Sequence, residues 1–238
     1  MAGDRVVNVL FHGIGTPART LEEGEERYWV GVDQFHELLD EALSWPDVRI
    51  SFDDSNSSDV EHALPALQRR GVRATFFVIA GRLGTPGSLD ATDVRALRDA
   101  GMAIGSHGMH HRPWRGLTAA QAEEEFVAAR STLADVVGTT VDEAACPLGR
   151  YDRAVLSRLR GLGYRRVYTS DRRPARAWSQ ASGLPPADAV RRRVTHPDRW
   201  SHARDCLTDR RSGSPLPRAA AAASGWKSSP AEQLGVPA

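Results

Sequence analysis

Val48-Arg49-Ile50-Ser51-Phe52-Asp53-Asp54-Ser55-Asn56 is the stretch on which the fold turns. Its first half is a β-branched, apolar run of the kind that forms a buried strand. Its second half sets two carboxylates side by side where that strand should end. Ser55-Asn56-Ser57-Ser58-Asp59 then offers turn chemistry and a helix N-cap. In α/β proteins the C-terminal ends of strands are where sites are built. Adjacent acids at such a place repel each other and lose hydration, so something must compensate them. A divalent metal on one carboxylate, with the other left free as a base, would do so. A solvated Asp-Asp turn is the alternative reading of the same dipeptide.

Outward from this stretch, strands and helices alternate. Val6 to Phe11 reads as a buried strand ending at His12-Gly13-Ile14-Gly15, and a loop follows to about residue 27. Asp33 is placed to cap a helix with Phe35, Leu38, Leu39 and Ala42 on its apolar face. After the central strand, a helix from about Asp59 presents Val60, Ala63, Leu64 and Leu67, with Pro65 tolerable near its start. Arg73 to Ile79 is a strand, Asp90 to Ala100 a helix, and Met102 to Ser106 a short strand running into His107-Gly108-Met109-His110-His111. Thr118 and Gln121 form a capping box opening a helix with Ala122, Phe126, Ala129 and Leu133 inward. Glu143 to Cys146 is a brief strand before Pro147-Leu148-Gly149. Asp152 caps the next helix, and Arg165 to Ser170 is the sixth strand. This order argues for a parallel α/β sheet or barrel over residues 1–176. Residues 177–238, with Pro-Pro, an arginine triplet and an alanine run, show no sustained period and read as a poorly ordered tail. A weak helical pattern spans Asp188–Val194, and no seventh strand is legible.

Composition narrows the function classes. The chain has 238 residues, 41% hydrophobic and 26% charged, as expected of a globular protein with a sizeable core. Its 31 basic residues, of which only Lys227 is lysine, are offset by 30 acidic ones, which argues against a nucleic-acid surface. Two cysteines make neither a disulfide framework nor a CxxC pair, in keeping with a reducing compartment. No run approaches the roughly 18 apolar residues of a membrane span, and the N-terminus reads straight into a strand with no leader pattern. The expectation is a cytoplasmic protein without stable membrane insertion. Nothing in the pattern sets an oligomeric state.

His107 and His111 stand four apart just after a strand. Neutral imidazoles at that spacing bind one Zn²⁺ and leave room for a carboxylate and a water; a solvated histidine-rich loop is the alternative. Asp53-Asp54, His107/His111 and Cys146-Pro147-Leu148-Gly149 all fall at strand ends, hence on one face of the sheet. That coincidence favours a site.

These residues resemble a known family. Ser51-Phe52-Asp53-Asp54-Ser55 is similar to the TFDDG motif of the NodB-type polysaccharide deacetylases, carbohydrate esterase family 4. His107 to His111 resembles their H-[S/T]-x-x-H motif, and Pro147-Leu148-Gly149 the end of R-x-P-[YF]-G. Gly71 to Val78 resembles the G-x-x-A-T-F-F-V strand, and Leu10 to Ile14 the first-strand segment. The resemblance covers roughly residues 5–172. It implies a distorted (β/α) barrel with a metal site at one mouth. It further implies Asp54, His107 and His111 as metal ligands and Asp53 as the general base toward a metal-activated water. The backbone N–H of Leu148 is the implied oxyanion donor, and Pro147 and Asp171 lie on the substrate side. Zn²⁺ suits such a set, and Co²⁺, Ni²⁺ or Mn²⁺ fit the same ligands. The implied substrate is an acetylated amino sugar or carbohydrate, with small cyclic amides or ureides the alternative within the superfamily.

The chain departs from the family pattern at several points. Ser55 replaces a glycine, Gly108 a serine or threonine, and Ala145 the arginine that orients the base. The histidine that protonates the leaving amine has two candidates, His196 in Val194-Thr195-His196 and His12 on the first strand. His110 is an extra imidazole off the family spacing. His36 and His62 are expected to face solvent.

Overall fold

Among the described residues, seven parallel strands curl into a barrel in chain order: β1 (Val7–Phe11), β2 (Val48–Phe52), β3 (Ala74–Val78), β4 (Ala103–Ser106), β5 (Glu143–Ala145), β6 (Arg166–Thr169) and β7 (Ala189–Val194). The computed structural model describes residues 7–45 and 48–170, together with the backbone of 189–194. Each strand pairs with the next, and β7 pairs with both β6 and β1, Asn8 lying opposite Arg192. The seventh strand therefore exists, within the stretch read from sequence as tail and at the place of its weak helical pattern. Its residues AVRRRV carry no apolar alternation, so the backbone partners on both sides decide its form. The expected boundary at residues 176 and 177 lies outside the described residues.

Period-two alternation sorts the strand residues into two sets. Val9, Phe11, Ile50, Phe52, Ala74, Phe76 and Val78 face outward into the main core. There they meet α1 (Val32–Leu43), α2 (Leu64–Arg69), α3 (Ala91–Asp99) and α5 (Ala129–Val137) through residues such as Phe35, Leu39, Leu67, Leu97 and Leu133. Phe52 anchors this layer, stacked on Phe76 with ring centroids 4.6 Å apart and on Phe11 at 5.5 Å. A second cluster, including Phe126, Ala144, Val155, Leu159 and Val167, seats α4 (Ala119–Glu123) and α6 (Arg153–Gly161).

The alternate set fills the barrel. Phe77 packs against Tyr168 at 4.6 Å between ring centroids. Gly105 leaves room for that ring, since a Cβ there would stand 2.5 Å from Phe77. Below them Glu143 accepts from Tyr168 Oη at 3.0 Å and pairs with Arg166 at 2.6 Å. Burial first, and then the Glu143 charge, push the Tyr168 phenol up to about 12, so it stays a donor. The floor is thus a paired polar layer, leaving the C-terminal mouth for the acids and histidines.

Several local expectations are corrected. Gly31, not Asp33, is the N-cap of α1, and Asp33 lies in its first turn. The helix expected from Asp59 opens as a π turn, Asp59–Ala63, in which Leu64 N–H donates to the Asp59 carbonyl before α2 begins. Pro65, without an N–H, stands just past that widened turn. A second π turn, Glu124–Ala128, joins α4 to α5. His36 and His62 are half-buried rather than solvent-facing, and a Cβ on Gly15 would stand 3.3 Å from His62. Among the described residues no helix is long and apolar enough to cross a membrane.

Candidate metal centre

The ladder between β1 and β2 runs one residue past β2, as Asp53 N–H donates to the Phe11 carbonyl at 3.0 Å. The chain then turns sharply, with Asp54 at φ 76° and Ser55 at φ 59°. Both lie in the left-handed region that costs a non-glycine residue roughly 1–2 kcal/mol. Ser55 holds that conformation because its hydroxyl accepts the Ile79 N–H at 2.7 Å and its carbonyl accepts the Leu89 N–H at 2.8 Å. The serine at the family's glycine position thus joins the end of β2 to the end of β3. Ser58, at the expected N-cap, makes no capping bond; its hydroxyl accepts the Ile14 N–H instead. Ser55→Ala leaves the buried Ile79 N–H without its acceptor and should cost about 1–3 kcal/mol, measured by urea denaturation.

Two more strand ends complete the cluster. His107 follows β4 and donates from Nδ1 to the Ala145 carbonyl of β5 at 2.9 Å. A carbonyl only accepts, so Nε2 of a neutral His107 carries the lone pair. That atom lies 3.4 Å from Asp54 Oδ1 and 3.7 Å from Asp53 Oδ2. His111, itself at φ 54°, places Nε2 3.3 Å from Asp54 Oδ1. One ligand atom each from Asp54, His107 and His111 lies within 4.8 Å of the others. All of these side chains are nearly or fully buried.

The electrostatics suit a cation. Burial pushes the Asp54 carboxyl up, yet the imidazoles of His107, His12 and His111 around it outweigh that and hold the group far below the ordinary carboxylate range. Burial lowers His111 against the opposing pull of Asp54, favouring the neutral imidazole that ligates metals. Asp59, reaching the same region from the π turn after β2, is raised well above its usual value by burial and by the Asp54 and Asp53 charges.

His12 comes to the same mouth, stacked on Tyr28 at 4.9 Å and close enough to depress Asp54. His110 points elsewhere, its Nε2 2.8 Å from the exposed Glu124. Pro147 is buried at the head of a short 3₁₀ turn two residues past Ala145, and Leu148 is 56% exposed at φ 54°. Ala145 is buried against Phe77 and Tyr168. His196 and Asp171 lie outside the described residues.

Two acids escaped the sequence reading. Glu125 is fully buried and accepts the N–H groups of Met109 at 2.9 Å and His110 at 3.1 Å; it also accepts Trp114 Nε1–H at 3.3 Å and pairs with Arg112 at 3.0 Å. It fixes the whole segment between the two histidines. Its signal was present: Glu125 shares the i, i+3, i+4, i+7 stripe of Ala122, Phe126 and Ala129, where an acid needs partners. Glu22, whose carboxylate meets His111 Nδ1, had no such signal.

Comparison with known proteins now adds a decisive observation: the family model for polysaccharide deacetylase matches residues 41–167, more than half of the chain. The chain belongs to the polysaccharide deacetylase family. Family relatives include YxkH of Bacillus subtilis, 27% identical over 124 residues, covering 52% of this chain and 44% of that protein. A chitin deacetylase from Pestalotiopsis sp. is 31% identical over 116 residues, covering 48% of this chain and 38% of its own. The matched region thus spans less than half the length of these relatives. The fold is shared with the Streptococcus pyogenes deacetylase PplD (TM-score 0.61, 22% identity, 80% of this chain and 93% of that one). It is shared also with IcaB from Ammonifex degensii (TM-score 0.67, 21% identity, 86% and 97%). The family and barrel expected from the motifs are therefore borne out.

Proposed function

We propose that this polysaccharide deacetylase family member is a metal-dependent hydrolase removing an acetyl group from an amino sugar of a polysaccharide or its precursor. The observation that carries this reading is the convergence of Asp54, His107 and His111 beside a second carboxylate, Asp53. The donor set fits a divalent cation: one anionic oxygen and two imidazoles whose Nδ1 atoms face acceptors, which directs both Nε2 lone pairs to one place. Zn²⁺ suits this set best, and Co²⁺, Ni²⁺ and Mn²⁺ remain compatible. Bound there, the ion supplies Lewis-acid polarisation of the amide carbonyl and makes a water acidic enough to deprotonate near neutral pH.

The chain's own residues do the rest. Asp53 is the base that takes the proton as water attacks the acetamide carbon. The Leu148 N–H, on the short turn after β5, is the donor to the developing oxyanion in this reading. The amine must leave protonated, and His12, at the same mouth, is the described candidate for that proton; His196 is the other. Asp171 and Pro147 belong to the substrate side of this reading.

A metal- or sugar-binding pseudoenzyme is the second reading. Ala145, packed against Phe77 and Tyr168 where the family pattern places an arginine, is the observation behind it. The test is acetate release from N-acetylated chito-oligosaccharides by chelator-stripped protein, with and without added Zn²⁺ or Co²⁺. Release that depends on the metal supports the deacetylase. Stoichiometric metal without release from these sugars or from cyclic amides supports the pseudoenzyme, and no metal binding overturns the deacetylase and leaves the pseudoenzyme only its sugar-binding form.

A further inference from the structure

We propose that Glu22, on the loop between β1 and α1, is the positioning residue that fixes the tautomer and orientation of the ligand His111. This rests on the metal reading given above. His111 Nδ1 stands 3.1 Å from Oε1 and 3.1 Å from Oε2 of Glu22, across 89 positions of sequence. A carboxylate only accepts, so the imidazole proton belongs on Nδ1 and the lone pair on Nε2, facing Asp54. Without Glu22 the preference reverses. Asp54 Oδ1, 3.3 Å from Nε2, would then draw the proton to that nitrogen and cap the lone pair a metal needs.

The two ligand histidines differ here. His107 is oriented by a backbone carbonyl, Ala145, which no substitution removes. The carboxylate against His111 belongs to a half-exposed side chain, while His111 itself is 8% exposed.

Glu22 is in turn held from two directions. Arg82, on the turn after β3, pairs with its carboxylate. Its backbone N–H donates to Glu25 Oε2 at 2.8 Å. Glu25 is bound by the buried Arg19, whose Nε donates to Asn56 Oδ1 at 3.0 Å. Asn56 lies two residues past Asp54. The loop is therefore tied to the β2 end of the ligand set through Asn56 and to the β4 end through His111. Conserving the direction of one imidazole is the function this arrangement serves. Carboxylates placed behind a ligating histidine commonly govern metal affinity by about 10–100-fold.

The test uses the full chain with Glu22→Ala and Glu22→Gln, and Asp40→Ala as a control that loses a comparable exposed ion pair, with Arg70. Zn²⁺ and Co²⁺ affinities are measured by competition with a chromophoric chelator. Long-range ¹H–¹⁵N spectra of the metal-free protein report the His111 tautomer. Glu22→Ala should weaken both metals about 10–100-fold and move the His111 proton from Nδ1 to Nε2. Glu22→Gln keeps an acceptor and should retain most of both properties; Asp40→Ala should change neither. An unaltered His111 tautomer in Glu22→Ala overturns the proposal, as does unaltered affinity. Should the unsubstituted protein bind no metal, the metal reading fails, and the tautomer arm still decides whether Glu22 sets His111.

Discussion

Asp53→Asn should lower acetate release by about 10²–10⁴-fold, the usual worth of a positioned general base, while metal content stays stoichiometric. Asparagine has nearly the shape of aspartate, so the β2 ladder through the residue 53 N–H and the turn at Asp54 and Ser55 have no reason to shift. What disappears is the capacity to accept and hold a proton. The metal should stay because its ligand oxygen belongs to Asp54, which His107 and His111 face at 3.4 and 3.3 Å, whereas Asp53 Oδ2 stands 3.7 Å from His107 Nε2. Removing the Asp53 charge also takes away one of the two carboxylate charges that, after burial, raise Asp59, so Asp59 should ionise at a lower pH in the variant. Elemental analysis and initial rates on one preparation check both halves. Loss of metal together with activity would make Asp53 a ligand rather than a base. No turnover in the unsubstituted protein, with metal bound, would favour the pseudoenzyme.

The same stretch shows why some of this was legible in the sequence. Ile50 and Phe52 announce an outward apolar face, and Asp53-Asp54 at a strand end announce a site, because both signals are local. His107 and His111 were equally local: four residues, one loop. Glu22 and His111 meet only because the barrel brings its first and fourth loops together, and no periodicity encodes that. β7 was illegible for a different reason. An arginine triplet has no apolar alternation to read, and that strand is specified by open backbone donors and acceptors on β6 and β1. The two π turns likewise answer to tertiary demands; each precedes or carries a buried acid, Asp59 or Glu125, that an uninterrupted helix would aim differently. Gly108 and Ser55 looked like defects against the family pattern, but each is matched by a partner that only the fold reveals.

That matching makes Gly108→Ser, which restores a residue type of the family motif, a damaging change here. Gly108 has φ 81°, and a Cβ there would lie 2.1 Å from Glu125 Oε2 and 3.1 Å from Trp114 Nε1. The carboxylate cannot simply retreat, because Met109 N–H, His110 N–H, Trp114 Nε1–H and the Arg112 guanidinium all depend on its present position. Adding the left-handed penalty to the cost of overpacking gives about 2–5 kcal/mol of destabilisation. That corresponds to a fall in Tm of roughly 2–4 °C for each kcal/mol in a domain of this size. Metal affinity should fall as well, since the displaced segment carries His107 and His111. Glu125→Ala alone should destabilise by about 3–5 kcal/mol by stripping buried donors and the Arg112 charge of their partner. The double variant separates collision from coincidence. With the carboxylate gone the added side chain has room, so Gly108→Ser should cost about 0.5–3 kcal/mol less in the Glu125→Ala background than in the unsubstituted protein. Equal costs in both backgrounds would mean that backbone conformation alone demands the glycine, and that Glu125 does not set the geometry of the histidine loop.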